Sequence, residues 1–284
     1  MHLSYGLTVL VTLTTDFGTH DGYVAAMKAS MLRVNPLVRF LDVTHQIPAQ
    51  DVMEAAFVVK QVIPYSPAGS IHLVVVDPEV GTTRKAIAAT FGVGTSEHMF
   101  VGPDNGLLPL IAGESIHHVV ELNDPTAWSS PQLSSTFHGR DVFGPVAARL
   151  ADNARLIEVG TMTQDVTRMH WPSPRMDHES THGMVLHVDR FGNCITNIKA
   201  PDIERFGRGR RFKCYVGSAV VRIHERTYGQ TAAGEALTLF GSTGHLEIAV
   251  NGGHAASLLS VDRGDPVTLV YDSVPEALVE PVAG

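Results

Sequence analysis

The chain has 284 residues, of which 44% are hydrophobic and 18% charged, and a formal net charge of -8. That length suits one large or two moderate globular domains, and that balance excludes an intrinsically disordered chain. The negative charge argues against nucleic acid as the main partner.

Along the chain, the first half alternates strands and helices. Leu7 to Thr14 reads as a first core strand, too short to span a bilayer, and it runs into Thr15-Asp16-Phe17-Gly18. Asp21 to Val34 has the apolar spacing of a helix, with Tyr23, Ala26, Met27, Ser30, Met31 and Val34 on one face, and it stops before Pro36. Val38 to Val43 is a second strand with Asp42 near its end. Asp51 with Glu54 three residues on has the spacing of a helix cap, and the helix runs to about Val62. Ile71 to Val76, apolar except for His72, then runs straight into Asp77. An apolar run without alternation reads as a strand covered on both faces, as in a parallel sheet. Ala86 to Phe91, His98 to Val101 and His117 to Leu122 are further strands, and Asp141 to Ala151 is an apolar helix that Asp141 can cap.

The composition changes after about residue 165. His170-Trp171-Pro172-Ser173-Pro174 reads as a linker. Short β-rich runs with frequent glycine follow at Met184–Val188, Arg211–Val216, Ala219–His224, Ala236–Phe240, Leu246–Val250 and Pro266–Tyr271. The fold class expected is α/β: an N-terminal α/β domain over residues 1–168 with a mainly parallel central sheet, and a smaller C-terminal β-barrel over 169–284. Two cysteines, Cys194 and Cys214, are too few for a disulfide framework. With no signal-peptide pattern, they point to a cytoplasmic setting.

The chemistry concentrates where strands end, because ligands of open α/β sheets bind beyond the carboxyl ends of the strands. Asp77 lies there, with Arg84 seven residues on in the same loop. Asp16 ends the first strand in the same way: it either caps the next turn or works in one cleft with Asp77, one carboxylate on ribose hydroxyls and the other on water or a cation. Gly102-Pro103-Asp104-Asn105-Gly106 reads as a tight turn. His138, in Thr136-Phe137-His138-Gly139-Arg140-Asp141, is either a satisfied core histidine or the group that exchanges a proton with a nucleophile near Asp77 and Arg84. In Asp189-Arg190-Phe191-Gly192-Asn193, Asn193 can serve the edge of a purine and Phe191 can stack on it; otherwise the segment is a hairpin turn with Phe191 in the core.

Fifteen histidines make a metal worth weighing, with Asp16, His20, Asp21, Asp77, His138 and Asp141 as suitable donors. No HxH pair is present, and Arg84 and Arg140 would add positive charge beside the ion, so no metal is expected. No GxGxxG or P-loop is present either.

In order, the segments Thr15–Gly18, Asp42–Pro48, Val76–Pro78, Gly102–Gly106, Thr136–Asp141, Asp189–Asn193 and Gly241–Glu247 resemble the S-adenosyl-L-methionine (SAM) hydroxide adenosyltransferases, or SAM hydrolases, relatives of the SAM-dependent fluorinase and chlorinase. The resemblance covers nearly the whole chain. It implies that water or hydroxide displaces L-methionine from C5′ of SAM, giving adenosine, in a homotrimer with active sites at subunit interfaces and without any cofactor. The Asp–Arg–His trio of that family maps onto Asp77, Arg84 and His138, and its ribose-binding aspartate onto Asp16. Its adenine-side residues map onto Phe191 and Asn193, with Ser242 and the backbone around Ala255 beside them. Retention of Asp77 and Arg84 favours the hydrolase over a halogenase, since a carboxylate there repels a halide. Two departures stand out: Glu79 follows Asp77-Pro78 where the family usually has glycine, and Ala49-Gln50 follows Ile47-Pro48 where it often has an aromatic. The rival readings are a non-catalytic SAM or adenosine sensor and a metal-dependent nucleoside or phosphoester hydrolase.

Overall fold

The unalternating apolar run before Asp77 sits where two cores meet. In the computed structural model, which describes residues 9–130 and 132–273, Leu73 and Val75 face one core while Val74 and Val76 face another. Both faces of the strand are therefore dry, and no polar residue is needed on either. Leu7 and Thr8 of the expected first strand lie outside the described residues. The chain divides into two compact units, Met1–Trp171 and Pro172–Gly284.

The first unit is built from β1 (Leu10–Thr15), α1 (Tyr23–Val34), β2 (Arg39–Thr44), α2 (Val52–Val62), β3 (Ile71–Val75), β4 (Ala86–Val93), β5 (Ser96–Pro103), α3 (Leu107–Ala112), β6 (Ile116–Glu121), α4 (Gly144–Ala151) and β7 (Thr161–Met162). Its seven-stranded sheet has the order β2-β1-β3-β5-β4-β6-β7. The first four strands of that order are parallel and the rest pair antiparallel. Met27, Met31, Phe143 and Val146 pack on one face of the sheet, and Ala55, Ala56, Val59, Leu107 and Leu110 on the other. The Asp51 side chain accepts the Glu54 N–H and caps α2.

Two expectations are corrected here. Helix α4 begins at Gly144 rather than at Asp141, because Gly139–Phe143 forms a π-helical turn ahead of it. Asp141 caps nothing: its carboxylate is engaged by neighbouring side chains and a loop N–H, described below. Trp171, read as part of a linker, is anchored in the first unit. Its ring packs edge-on against Phe57, and its Nε1–H donates to the Leu110 carbonyl at 2.8 Å, which satisfies both the apolar body and the polar edge of an indole.

In the second unit come β8 (Arg175–Met176), β9 (Ser180–Val188), β10 (Cys194–Lys199), α5 (Ala200–Gly207), β11 (Phe212–Val216), β12 (Ala219–Val221), β13 (Ala236–Phe240), β14 (His245–Val250), α6 (Ala255–Leu259) and β15 (Pro266–Tyr271). Its eight-stranded sheet runs β12-β11-β15-β9-β10-β14-β13, with β8 on β9. All its strand pairs are antiparallel, and a bridge from His224 to Thr238 on β13 nearly closes the barrel. Cys194 and Cys214 are buried free thiols. Among the described residues no helix is long and apolar enough to cross a membrane.

One buried polar chain crosses the first sheet. Thr12 Oγ1 lies 2.8 Å from His72 Nδ1, and His72 Nε2 lies 3.3 Å from His98 Nδ1. Burial, and then the neighbouring His98, push the His72 pKa down to about 3. The unfolded chain thus takes up this proton near pH 6.5 and the folded one only near 3, so stability is present above pH 6.5 and is lost as pH falls toward 3. Urea unfolding at pH 7 and pH 4.5 should differ by roughly 2–3 kcal/mol from this group; equal midpoints at the two pH values would contradict a neutral His72.

Candidate active site

β1 and β3 are parallel neighbours, with Thr15 opposite Val75. Asp16 follows Thr15 directly and Asp77 follows Val75 by two residues, so both carboxylates leave the sheet at the same edge. The turn after β5 fixes the second exit: the Asn105 side-chain amide donates to the Val76 carbonyl at 2.9 Å. Gly102 and Pro103 still pair in β5, so the expected turn is confined to Asp104–Gly106, and it also anchors the residue before Asp77. Sequence reading missed that role, because an Asn-Gly pair looks the same whether or not its amide reaches a neighbouring strand.

The loop from Asp77 to Arg84 folds on itself. The Thr82 hydroxyl donates to the Glu79 carbonyl at 2.7 Å and accepts the Arg84 N–H at 3.2 Å. Gly81 has φ +78, and a side chain there would run into the Ser135 carbonyl. The missing Cβ lets this loop press on the segment that carries His138. The side chain of Glu79 is exposed, so its extra charge lies in solvent while its backbone shapes the loop.

Arg84 is the hub. Its side chain is 2% exposed and that of Asp77 is 5% exposed. Arg84 Nε donates to Asp77 Oδ1 at 3.1 Å and Nη2 to Oδ2, a two-pronged pair. Nη2 also approaches His138 Nδ1 at 3.2 Å, and Nη1 donates to the Lys85 carbonyl at 2.7 Å. The Phe143 ring lies under the guanidinium at 5.4 Å. Four of the five guanidinium N–H groups are thereby engaged. The fifth, on Nη1, has no partner among the described residues.

The protonation states follow. Burial pushes the Asp77 carboxyl above the ordinary carboxylate value, against the opposing pull of Arg84 and His138. With both oxygens accepting from Arg84 it stays ionised at neutral pH, yet it is a better base than a solvated carboxylate. Burial, and then the positive charge of Arg84, hold His138 below its ordinary value. A guanidinium only donates, so Nδ1 of a neutral His138 accepts from Arg84 and the ring proton sits on Nε2.

Asp141 organises the approach to His138. Its carboxylate accepts from Arg140 Nε at 2.6 Å, Arg140 Nη2 at 2.9 Å and the Ser134 N–H at 2.9 Å. Asp16, half-buried, accepts the Gln50 N–H on Oδ2 at 2.8 Å. Gln50 has φ +67, so at the departure Ala49-Gln50 the contact to the site is made by backbone rather than by an aromatic wall. His20 and Asp21 stand in solvent, 3.6 Å apart. Among the described residues no group of three or more His, Cys, Asp or Glu is placed to hold a metal ion.

In the second unit, Asp189–Asn193 is the hairpin between β9 and β10. Phe191 is not in the core; it is 76% exposed at the hairpin tip. Asp189 Oδ1 accepts the N–H groups of Phe191 and Asn193, each at 2.9 Å, and Oδ2 accepts from Asn193 Nδ2 at 3.0 Å. Because a carboxylate only accepts, the amide nitrogen of Asn193 must face Asp189 and its oxygen must face away. Gly192 packs against the His254 ring, its carbonyl accepts the Ala256 N–H at 2.9 Å, and Ala255 opens α6 beside it. Phe191, Asn193 and Ala255 are thus gathered at one place. Ser242 is not: it sits exposed in the β13–β14 turn, where His245 pairs with Lys199, at the opposite end of the β10–β14 pair from Asn193.

Models of the SAM hydroxide adenosyltransferase N-terminal and C-terminal domains match residues 11–160 and 183–268. A Salinispora tropica protein named (R)-S-adenosyl-L-methionine hydrolase is 42% identical over 91% of this chain and 96% of its own length. A fluorinase of Nocardia brasiliensis is more distant, 28% identical over 91% of this chain and 94% of its own. Among solved structures, an uncharacterized conserved protein from Thermotoga maritima superposes with a TM-score of 0.85 at 33% identity, covering 92% of this chain and 99% of that one.

Proposed function

Since the chain belongs to the SAM hydroxide adenosyltransferase family, we propose that it hydrolyses S-adenosyl-L-methionine to adenosine and L-methionine. The observation that carries this reading is the buried Asp77–Arg84–His138 cluster, in which a basic carboxylate is paired with a guanidinium that keeps one N–H unengaged.

The chemistry asks little of an acid. A sulfonium is already a good leaving group, so the task is to place a nucleophile in line with the C5′–S bond, and positioning contributes on the order of 7–11 kcal/mol at best. Arg84 holds the water by its charge, and Asp77 takes its proton on a lone pair that its bonds to Arg84 leave free. The water oxygen bonds to C5′ as the C5′–S electron pair goes to sulfur, which leaves as the neutral thioether of methionine. His138, neutral with its proton on Nε2, completes the network and keeps Arg84 from turning. Asp16 binds the ribose hydroxyls. Phe191 and Asn193 bind the adenine with the backbone around Ala255.

The same pair disfavours a halogenase. Asp77 neutralises Arg84 and would repel a halide in its place, and the fluorinase relatives are the more distant ones. No metal or redox cofactor takes part. The resemblance further supports a cytoplasmic homotrimer with active sites at subunit interfaces, in keeping with an aromatic as exposed as Phe191 on the single chain.

The test is incubation with SAM in ¹⁸O-water, with and without EDTA. Adenosine carrying ¹⁸O at its 5′ oxygen, formed equally in both, is the expected result. SAM retained without conversion would favour a sensor, and loss of activity in EDTA a metal-dependent hydrolase.

A further inference from the structure

The Asp42-Val43-Thr44-His45 segment has no part in the chemistry above, yet its His45 side chain reaches the residue that precedes Asp16. Thr15, fully buried on β1, immediately precedes Asp16, and its hydroxyl lies 2.9 Å from Nδ1 of the buried His45. The same hydroxyl accepts the Phe17 N–H at 3.3 Å. On the far side of the ring, His45 Nε2 lies 3.1 Å from Asp42 Oδ1, too oblique for a well-formed hydrogen bond, and Lys28 Nζ donates to Asp42 Oδ2 at 2.6 Å.

The direction of this chain is set by its ends. A carboxylate only accepts, so a proton on Nε2 is the one suited to face Asp42, and that tautomer leaves Nδ1 as an acceptor. The Thr15 hydroxyl then donates to His45 and accepts from Phe17, using both of its capacities. Backbone bonds brace the same turn: the Gly18 N–H donates to the His45 carbonyl at 2.7 Å, and the Ile47 N–H to the Thr15 carbonyl at 3.4 Å. The residues on both sides of Asp16 are therefore tied to one histidine. One Asp16 oxygen is occupied by the Gln50 N–H, and the other has no partner among the described residues. A carboxylate so held keeps one oxygen free and a lone pair on the other in fixed directions, which suits the two hydroxyls of a diol.

We propose that Thr15 and His45 are positioning residues for Asp16, with His45 acting through the Thr15 hydroxyl to orient the carboxylate toward the ribose diol of the substrate. The inference rests on the reading of Asp16 as the ribose-binding aspartate. Neither Thr15 nor His45 touches the substrate.

The test compares Thr15→Val, which keeps the shape and removes the hydroxyl, with Thr15→Ser, which restores it. Asp16→Asn serves as reference, and His45→Gln serves as a second variant should Thr15→Val fail to fold. The readouts are KM and kcat for SAM and the ratio of the dissociation constants of 2′-deoxyadenosine and adenosine by calorimetry. Thr15→Val should raise KM about tenfold, more than it lowers kcat, and shrink the preference for adenosine by about the same factor. Thr15→Ser should recover both, and the double variant Thr15→Val with Asp16→Asn should discriminate no less than Asp16→Asn alone. Full preference in folded Thr15→Val and His45→Gln, beside its loss in Asp16→Asn, overturns the inference alone. Full preference in Asp16→Asn overturns the ribose reading, and the inference with it.

Discussion

Replacing Asp77 by asparagine should lower kcat for adenosine formation by about 10²- to 10⁴-fold while SAM still binds. The acid-to-amide change is nearly isosteric, so the loop keeps its shape. What changes is that one of the two atoms facing Arg84 becomes a donor, which then meets the N–H groups of Arg84 that the carboxylate accepted. The base that takes the proton of the water is gone, and Arg84, 2% exposed, is left with an uncompensated charge. Losing one partner of a buried pair costs roughly 3–5 kcal/mol of stability, so thermal melting has to accompany the kinetics. A folded Asp77→Asn protein with wild-type kcat would remove Asp77 from the chemistry.

A second large effect is expected at a residue that bears no functional group. Gly81→Ala should lower kcat by about 10²-fold, because a displacement on the order of 1 Å at the reacting centre is enough for that loss. The added methyl both disfavours φ +78 and meets the Ser135 carbonyl. The Asp77–Arg84 loop must then back away from the segment carrying His138. Gly94 provides the control: its φ is +58, but a Cβ there meets nothing within 4 Å. Gly94→Ala should therefore show the backbone strain, about 1–3 kcal/mol, without the kinetic loss. Equal kcat in the two variants would show that the contact at Ser135 does not set the site.

The strand into Asp77 was legible because burial on both faces leaves an unmistakable apolar run, and the Asp51 cap because its spacing is local. Asp77 and Arg84 were legible as partners in one loop at a strand end, with His138 one of two open readings; the resemblance made them a trio, since Arg84 and His138 are brought together by a loop-to-loop contact that no periodicity encodes. The start of α4 was misplaced for a related reason. Val142, Phe143, Val146, Ala147 and Leu150 are buried in the spacing of one helical stripe, and apolar spacing cannot register an extra residue in the first turn. Asp141 had the look of a cap, but side-chain and loop partners outcompete a helix end for its two oxygens. For Phe191, a stacking aromatic and a core aromatic read alike until burial is known. Ser242 and Asn193 share a sheet, and only strand register shows that they occupy its opposite ends.

The π-helical turn at Gly139–Phe143 makes residue count, rather than residue identity, the quantity that fixes His138. A π turn accommodates one residue more than the α-helix it interrupts. Deleting one residue there would let the hydrogen bonds of α4 continue unbroken and would leave its buried stripe in place. Everything upstream would turn by about 100° around the helix axis, carrying His138 off Arg84. Such a segment cannot change length without cost to the site, so a one-residue deletion here would separate a stable fold from a working one.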